Sequence, residues 1–487
     1  MNFDSGRIWL DPQAPGAQQA ALEVVMLGHC VGEADLNQLF ARAQVINELN
    51  ELGYSATLQE LRDLSLNFSP LYNVPIPVYS LAEFVTLFPN AQAPAVYRSA
   101  LAGNEAWLPQ AVADFFRFNR TAVFKKCWVI NIDQTLAQQG FLPDNTDTVL
   151  DANNSNGFNR ALALPHAGLM VLPDLERLQI PANIAPRPRL RIANPLPTFL
   201  PCSSNNDDGV LERRPAGEYT EQTEPESFAR LLQPMLAAIN RFRPDMRLLI
   251  SLPLDVSLES DVPQASHAAL GELNQLQKSS WQAQLHRVQI VFPYLRERTG
   301  LLKTACGLLA GMIATTVASK GAWRSIAGEP LGGAYQPFPE VSQSSIAQFR
   351  DQFGLGVLRF RNQQLQLDDE RLLAGVFNDA AEHARSGEIS RFLGWLYRQL
   401  TELGHNLVFR TDPNEPQALI ALNTFFTHLH QLVALRGKRP EEAFYIEQTV
   451  ADSDPSTVIF IIQIAPAFPI DRIRITLQQD KLEVRGE

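Results

Sequence analysis

The sequence predicts a multidomain α/β protein, and three observations support this fold class. Short apolar runs at 168–172, 247–252 and 288–292 each end at a proline and alternate with helical stretches around 226–242 and 264–281. Strands that are apolar along their whole length and separated by helices are typical of a mostly parallel sheet covered on both faces. The C-terminal part changes to helices followed by strands, and 487 residues correspond to roughly three units at about 150 residues per domain.

Upstream of these runs, the pattern predicts helices and one further strand. Apolar residues recur at three- and four-residue steps over 36–49 and again around 111–116, which indicates helices. The run 127–132 is apolar and strand-like. The stretches 135–160 and 203–225 are polar, contain turn formers and show no period, so we expect exposed loops there.

The C-terminal part is the most regular and predicts a mixed α+β domain. In order, the pattern indicates a helix from 389 that stops near Gly404, a strand over 407–409, a helix over 417–436, strands over 443–446 and 458–464, a half-buried strand over 472–477 and a short run over 481–485. The last run is too short to be stable alone, so it needs a partner strand.

The composition excludes several functional classes. With 41 Lys+Arg against 52 Asp+Glu, the formal net charge is −11, which is the wrong sign for a dedicated nucleic-acid binder. The four cysteines lie far apart and form no zinc or redox spacing, so we expect free thiols in a reducing cytoplasm. The most apolar segment, 304–319, has sixteen uncharged residues, too few to cross a bilayer, and predicts a buried helix.

No cluster of residues indicates catalysis, a cofactor or a metal. His428 and His430 are two residues apart, so on a helix they point about 200° apart and cannot bind one metal ion. Asp174 follows a strand, where an α/β hydrolase-like enzyme could place a carboxylate, but no base or nucleophile accompanies it. We therefore expect Asp174 to serve a turn or a helix cap, and we expect the chain not to be an enzyme.

The C-terminal block resembles a known family. Phe409 followed by Asp-Pro-Asn-Glu at 412–415 is similar to the "FEPN" sequence that begins a long helix in tail sheath proteins of contractile phage tails and phage-like contractile injection systems. The similarity continues through 440–444. It ends with the strands 463–466 and 470–477, which resemble the sheath ending "VAPxRPAEFVVIRI".

Upstream segments match the same family in the same order. Residues 321–328 resemble "GxWKAPAG", and 292–295 resemble the strand end "YYPWL". Residues 78–88 and 111–116 resemble "SxxEFxxxFG…AVxxFF". No single motif is diagnostic, but their collinear order over 76–487 carries the resemblance.

The resemblance implies a sheath-type architecture with an inserted three-layer α/β domain and terminal extended arms. The expected parts are an N-terminal arm over 1–30, the N-terminal part of the core with a helical insertion over 31–150, an α/β sheath domain over 151–335 and a C-terminal assembly domain over 336–487. The usual "PGVYVEE" arm sequence is absent, and residues 118–120 replace the usual "NGG". These departures fit a divergent injection-system sheath or a paralogue near the baseplate.

The resemblance also implies two surfaces that bind other proteins. Terminal strands that cannot fold alone complete a neighbour's sheet; the candidate residues are Ile8, Trp9, Leu10, Ile473, Ile475, Leu477, Leu482 and Val484. The alternative is that 472–477 is an edge strand of its own sheet. The second surface is the helix 417–436 and its basic end. The residues expected to face an inner tube are Thr424, Thr427, His428, Gln431, Arg436, Lys438 and Arg439. For the three cations, an interaction with the helix dipole is the alternative role.

The implied function is that of a structural subunit of a contractile sheath. The implied partners are other copies of the chain in a helical or stacked-ring polymer, an inner tube protein, and baseplate and cap proteins. A non-contractile collar or minor sheath paralogue near the baseplate is the first alternative, and the hydrolase-like enzyme with Asp174 is the second. We expect no nucleic-acid partner, no membrane insertion, and synthesis in the cytoplasm as part of a particle that is released or anchored.

Overall fold

The computed structural model describes residues 22–99, 101–117, 125–144, 155–180, 227–255, 263–297, 300–332, 335–373, 385–407, 416–451 and 454–467. Contacts divide the chain into two units: a larger unit, Gln13–Val408, and a second unit formed by Met1–Pro12 and Phe409–Glu487. The second is hereafter the C-terminal unit, and its described residues are 416–451 and 454–467.

Seventeen strands lie in the larger unit and two in the C-terminal unit, over the described residues. They are β1 (Glu23–Gly28), β2 (Ala34–Asp35), β3 (Phe68–Ser69), β4 (Pro75–Val78), β5 (Pro94–Ser99), β6 (Gly103–Glu105), β7 (Cys127–Asn131), β8 (Ala167–Val171), β9 (Arg247–Ser251), β10 (Leu254–Asp255), β11 (Gln264–Ala265), β12 (Val288–Phe292), β13 (Tyr294–Arg296), β14 (Leu302–Lys303), β15 (Gln336–Phe338), β16 (Gly356–Arg361), β17 (Gln364–Leu367), β18 (Phe444–Ala451) and β19 (Asp454–Ile464).

The α-helices of the larger unit are α1 (Leu36–Phe40), α2 (Ala43–Glu51), α3 (Ser55–Asp63), α4 (Leu81–Leu87), α5 (Leu108–Phe116), α6 (Gly157–Leu162), α7 (Pro173–Leu178), α8 (Phe228–Phe242), α9 (His267–Gln277), α10 (Cys306–Lys320), α11 (Gln343–Phe353) and α12 (Gly387–Leu407). The C-terminal unit contains α13 (Gln417–Gln431) and α14 (Pro440–Ala443). Segments Gln134–Phe141 and Ser280–Arg287 are 3₁₀-helical.

An eight-stranded sheet organises the larger unit, in the order β17–β16–β12–β9–β8–β1–β7–β4. The strands from β16 to β7 run parallel, and β4 and β17 are antiparallel edge strands. The register places Met26 beside both Val129 and Val171. Every residue of β1, β8, β9 and β12 is buried, so the sheet is covered on both faces and the predicted α/β fold is confirmed.

The four apolar runs predicted as strands all lie in this sheet. The runs 127–132, 168–172, 247–252 and 288–292 correspond to β7, β8, β9 and β12 within one residue at each end. Continuous hydrophobicity identified them because a central parallel strand buries both sides. The helices predicted around 226–242 and 264–281 are confirmed as α8 and α9.

Local chain features close both edges of the sheet. In β4, Pro75 and Pro77 have no N–H to donate to a further strand. At the opposite edge, the Gly328 N–H donates to the carbonyl oxygen of Leu367 in β17, at 2.8 Å. Proline on an edge strand and a covering segment are both devices that prevent pairing with another chain.

The structure places residues 23–28 in the sheet and not in an arm. They form β1, between β7 and β8, and all are buried. An apolar run that ends at a glycine is the pattern of a buried strand, so the range 1–30 is corrected at its C-terminal end. Residues 1–21 lie outside the described residues. The boundary drawn at 336 stays a prediction; the described residues of the C-terminal unit begin at 416.

The prediction that 135–160 is a surface loop is wrong at both ends. Gln134–Phe141 is 3₁₀-helical, and Gly157–Leu162 forms α6, whose residues are all buried. The side chain of Asn156 accepts a hydrogen bond from the Asn159 N–H at 3.0 Å and caps this helix. Polar residues in this stretch satisfy backbone groups, so their polarity does not mark exposure.

The apolar segment 304–319 is confirmed as a buried helix, α10, which packs closely against α5. A Cβ atom at Gly307 would lie 2.6 Å from the Cα of Ala111, and one at Gly311 would lie 2.5 Å from the carbonyl oxygen of Phe115. Only glycine permits so close an approach of two backbones. Among the described residues, no helix is long and apolar enough to cross a membrane.

Three helices differ in extent from the sequence pattern. The segment 36–49 is split into α1 and α2. Helix α12 continues past Gly404 to Leu407, so the strand predicted over 407–409 is wrong at Leu407; the amphipathic stripe of α12 outweighs the cost of about 1 kcal/mol for one internal glycine. Helix α13 ends at Gln431, before the predicted end at 436.

Candidate assembly surface

Asp174 occupies the place where a doubly wound sheet would bind a ligand. The strand order reverses between β1 and β8, and such sheets bind ligands at the carboxyl ends of the strands at this point. There, the Asp174 carboxylate accepts hydrogen bonds from the N–H groups of His29 (2.8 Å), Trp107 (2.8 Å) and Leu108 (3.0 Å). Its exposed fraction is 0%. Asp174 does not cap its own helix, α7, whose N-cap is Leu172. It caps the start of α5 instead, so the carboxylate on which the hydrolase-like alternative depends is already used there.

A buried ion pair holds the segment that resembles the sheath "GxWKAPAG" sequence. Arg391 Nη1 lies 2.6 Å from Glu370 Oε1. Glu370 also accepts from the Ile326 N–H at 2.7 Å, and Arg391 donates to the carbonyl oxygens of Ala322 (3.0 Å) and Arg324 (2.5 Å). Burial alone would raise the pKa of Glu370, but the charge and hydrogen bonds of Arg391 outweigh it and lower that pKa. The segment is therefore a packing element, fixed by internal bonds.

The C-terminal unit is built on the antiparallel hairpin β18–β19. The register pairs Phe444 with Ile464 and Ile446 with Ile462. Over the residues that the structure describes, this sheet contains two strands. Because an isolated two-stranded sheet is marginally stable in water, the hairpin depends on what packs on its faces and edges.

Helix α13 packs against β18 and forms the core of this unit. Its buried side chains are Leu422, Phe425, Phe426 and Leu429. The ring centroid of Phe426 lies 5.4 Å from that of Phe444 and 5.3 Å from that of Phe425. Apolar residues at three- and four-residue steps form this stripe, as the pattern predicts.

The opposite face of the hairpin presents large apolar side chains to solvent. Tyr445 on β18 and Ile459 and Ile461 on β19 are exposed and alternate with the half-buried residues of the other face. Glu447, opposite Ile461, lies on the same exposed face. Apolar residues grouped on a face that the unit leaves exposed are typical of a protein–protein contact.

The chain after α13 returns to the end of β19 and is held in place. The Arg436 N–H donates to the carbonyl oxygen of Ala465 at 2.8 Å. The His430 Nε2–H donates to the carbonyl oxygen of Gly437 at 3.0 Å. The backbone of 432–439 is thus held in an ordered turn beside the end of β19.

The structure brings most of the predicted tube-facing residues to the surface. Thr424, Gln431, Arg436, Lys438 and Arg439 are exposed. Thr427 and His428 are half-buried, and the Nε2 atom of His428 is enclosed. The part of the His428 ring that carries Nε2 is therefore directed into the unit.

Sequence reasoning missed apolar residues on this surface. Ile420 and Val433 are each 59% exposed, and Leu432 is also exposed. Leu432 would continue the buried stripe if the helix ran to 436, but α13 ends at Gln431. No glycine follows this helix end directly, so the usual sequence signal of a helix terminus is missing.

The predicted arm residues lie outside the described residues. They are Ile8, Trp9, Leu10, Ile473, Ile475, Leu477, Leu482 and Val484. Their role in strand exchange remains a prediction.

Comparison with solved structures gives a consistent fold across both units. One similar chain comes from the cryo-EM structure of the anti-feeding prophage (AFP) baseplate, six-fold symmetrised, with a TM-score of 0.54, 14% identity, and coverage of 95% of this chain and 94% of that chain. Another comes from the AFP helical sheath in its contracted state, with a TM-score of 0.53, 14% identity and the same coverage of 95% and 94%. The chain has the fold of a contractile sheath protein.

A third similar chain comes from the sheath complex of an extracellular contractile injection system, PVC, in its contracted state. The TM-score is 0.51 at 12% identity, and the match covers 84% of this chain and 88% of that chain. No family model and no curated protein matches the sequence. The sheath-type fold agrees with the collinear motifs of the sequence, although few identical residues remain.

Proposed function

We propose that this chain is a structural subunit of the contractile sheath of a phage-tail-like injection system. The observation that carries the proposal is the sheath-type fold, which extends over almost the whole chain. Copies of the chain polymerise around an inner tube, join baseplate and cap proteins, and drive the tube through a target envelope when they contract. The internal use of Asp174 and of the Glu370–Arg391 pair supports a structural and not an enzymatic role.

The hairpin β18–β19 is the part of the molecule best suited to join copies. Strands from a neighbouring copy, 472–477 and the run 481–485 or the arm around Trp9, extend this sheet by backbone hydrogen bonds. Such a contact is heterologous, so it repeats along a polymer without closing on itself. The two-stranded sheet and the apolar residues on its outer face support this assignment.

Contraction is then a switch between two packings of rigid units. The larger unit has a sheet buried on both faces and ion pairs without access to solvent, so it is suited to move as one body. Strand contacts between copies supply connections that bend without breaking, because backbone hydrogen bonds persist while the units rotate.

The test is electron microscopy of the expressed chain with and without its tube protein. Wild-type chain is expected to form sheaths on tubes, and deletion of residues 479–487 is expected to leave a folded monomer that forms none. A double variant that keeps an apolar strand, L482I/V484I, is the matched control and should assemble normally. Normal sheaths from the truncated chain would contradict strand donation, and failure of the wild type to assemble would contradict the sheath function.

A baseplate-proximal paralogue is the second candidate. The match to a chain of the six-fold symmetrised AFP baseplate favours it. The copy number per particle separates the two functions, because a collar contributes one ring whereas a major sheath contributes many. Quantitative mass spectrometry of purified particles gives this ratio.

A further inference from the structure

Helix α12 is fixed to the larger unit along its first twelve residues, 387–398. Arg391 in this part forms the buried ion pair with Glu370. Two turns later, Arg398 Nη1 lies 2.9 Å from Asp245 Oδ2, and the side chain of Asp245 is 1% exposed. Separating either pair would leave a buried charge without its partner, which is strongly unfavourable. This part of the helix is therefore held in one position on the larger unit.

Aromatic rings and a close backbone approach hold the same part of the helix. The ring centroid of Trp323 lies 5.9 Å from that of Phe392 and 6.4 Å from that of Trp395. A Cβ atom at Gly394 would overlap the carbonyl oxygen of Asp245, just before β9. Glycine is required at this position because two backbones approach each other closely.

The last nine residues of α12, 399–407, are less buried than the first twelve. From 399 to 405, each residue is half-buried or exposed, and the buried residue that precedes them is Leu396. The Thr401 hydroxyl donates to the carbonyl oxygen of Tyr397 at 2.9 Å. Such a bond competes with the bonds of the helix backbone and often bends the helix. A part with few buried side chains opens locally at a smaller cost in free energy than an anchored part does.

Gly404 lies within this less buried part, and packing does not require a glycine there. A Cβ atom at Gly404 would meet nothing within 4 Å, in contrast to a Cβ atom at Gly394. Glycine at an exposed helix position lowers the helical population about fivefold relative to alanine, because its backbone is free to adopt many conformations. Gly404 therefore contributes backbone freedom at a point where the helix is weakly held.

The division of the chain into units falls just beyond Gly404. The larger unit ends at Val408, and the C-terminal unit continues from Phe409. Hinges consist of a few residues at the end of an element that absorb a change in φ and ψ, and small residues are common among them. A change of backbone conformation at Gly404 redirects the chain that leads to the C-terminal unit and leaves the buried contacts of 387–398 intact.

We propose that residues 399–407 form a hinge centred on Gly404, at which α12 bends while 387–398 stays fixed to the larger unit. The role of this hinge rests on the proposed function, in which copies of the chain change from one packing to another. The hairpin β18–β19 keeps its strand contacts with neighbouring copies while the larger unit turns about the hinge. The hinge itself is a property of the single chain.

The test measures distances between two spin labels on the unassembled full-length chain by double electron–electron resonance. The labels are attached through K278C in the larger unit and N423C in the C-terminal unit, since both positions are exposed. C202S is added to keep the labels at these two sites, because the other three native cysteines are buried. The chain with Gly404 is expected to give a broad distribution of distances. G404A is expected to reduce the population outside the main distance about fivefold.

Three further measurements make the test specific. The pair K278C/Y397C should give one narrow distance with and without G404A, because Tyr397 is exposed and lies in the fixed part of α12. G271A is the matched glycine variant. A Cβ atom at Gly271 also meets nothing within 4 Å, but this residue lies in α9, so the K278C/N423C distribution should not change. G404P removes a helix hydrogen bond and should broaden that distribution further.

Two results would overturn the hinge. One is a single narrow K278C/N423C distance in the chain with Gly404, and the other is a broad distribution that both G404A and G404P leave unchanged. A broad K278C/Y397C distribution would refute the fixed first part of α12. Sheath assembly is measured separately by electron microscopy. If the chain formed no sheaths but G404A still narrowed the distribution, the hinge would stand and only its role in a sheath would fail.

Discussion

The central sheet of the larger unit and the hairpin of the C-terminal unit are both built from apolar strands, but they differ in what they leave exposed. The sheet buries both faces of β1, β8, β9 and β12 and closes its edges with Pro75, Pro77 and the segment that covers β17. The hairpin leaves Tyr445, Ile459 and Ile461 exposed. The sheet is covered on both faces and at both edges, whereas the hairpin leaves one apolar face exposed. On the proposed function, this difference means that folding and assembly are assigned to separate parts of the chain.

Buried carboxyl groups show the same division. In the larger unit, burial raises the pKa of Asp114 to about 6, of Glu176 to about 7 and of Glu388 to about 7. In the C-terminal unit the carboxyl groups of Glu441, Glu442 and Glu447 are exposed instead. Each raised pKa links the stability of the larger unit to pH.

The largest effect is expected for G311L. A leucine side chain cannot fit where even a Cβ would lie 2.5 Å from the carbonyl oxygen of Phe115, so α10 must separate from α5. We expect a loss of more than about 4 kcal/mol in the free energy of unfolding of the larger unit, measured by chemical denaturation. The control is G271A, since a Cβ at Gly271 meets nothing within 4 Å. If G311L unfolded at the same denaturant concentration as the wild type, the conclusion that the larger unit is closely packed would be contradicted.

An intermediate effect is expected for E176Q, and its sign depends on pH. The Thr304 hydroxyl donates to Glu176 Oε2 at 2.5 Å, yet burial still raises the pKa from 4.5 to about 7. Between these values the unfolded chain loses its proton while the folded chain keeps it, so stability falls as pH rises from 4.5 to 7. Glutamine removes that loss. The variant should be more stable than wild type at pH 8, by up to about 3 kcal/mol, with no such gain at pH 4.

Thermal denaturation from pH 4 to pH 8 measures this slope. A general packing defect in E176Q would lower its stability by the same amount at every pH, so it would shift the curve without changing its slope. An unchanged slope would show that Glu176 is ionised in the folded state.

The smallest effect is expected for I461T in the hairpin. Ile461 is exposed and threonine also favours strands, so the free energy of unfolding of the monomer should change by less than about 0.5 kcal/mol. The neighbouring I462T is the matched variant, because Ile462 is half-buried on the opposite face, where Ile446 is its cross-strand partner. It should cost about 1 kcal/mol or more. Equal costs would contradict the assignment of the two faces.

Much of the fold could be predicted where one physical signal dominates. Continuous hydrophobicity identified β7, β8, β9 and β12, because strands buried on both sides need apolar residues at every position. The stripe of α13 was predicted by its period. The sequence interpretation of β1 was wrong. Because β1 lies near the N-terminus, it was included in the arm, although its composition is that of a central strand.

Other features could not be predicted because the deciding partner is distant in sequence. Asp174 is polar, but it accepts hydrogen bonds from the backbone N–H groups of Trp107 and Leu108, which are 66 or more residues away in sequence and which only the fold brings to it. Val433 gives no signal of a helix end, because its left-handed conformation is unusual for a valine. The exposed apolar residues of the candidate surface were missed for this reason.

The two prolines of β4 have a consequence for the shape of any polymer. A subunit whose large sheet accepted strands at its edges would join neighbours in several directions and form branched aggregates at the concentrations that a multicopy particle needs. With those edges closed, the large sheet offers no free edge for pairing, so on the proposed function the joining of copies falls to the small hairpin. On the proposed function, a subunit that joins neighbours in few directions would favour one tubular product over branched aggregates.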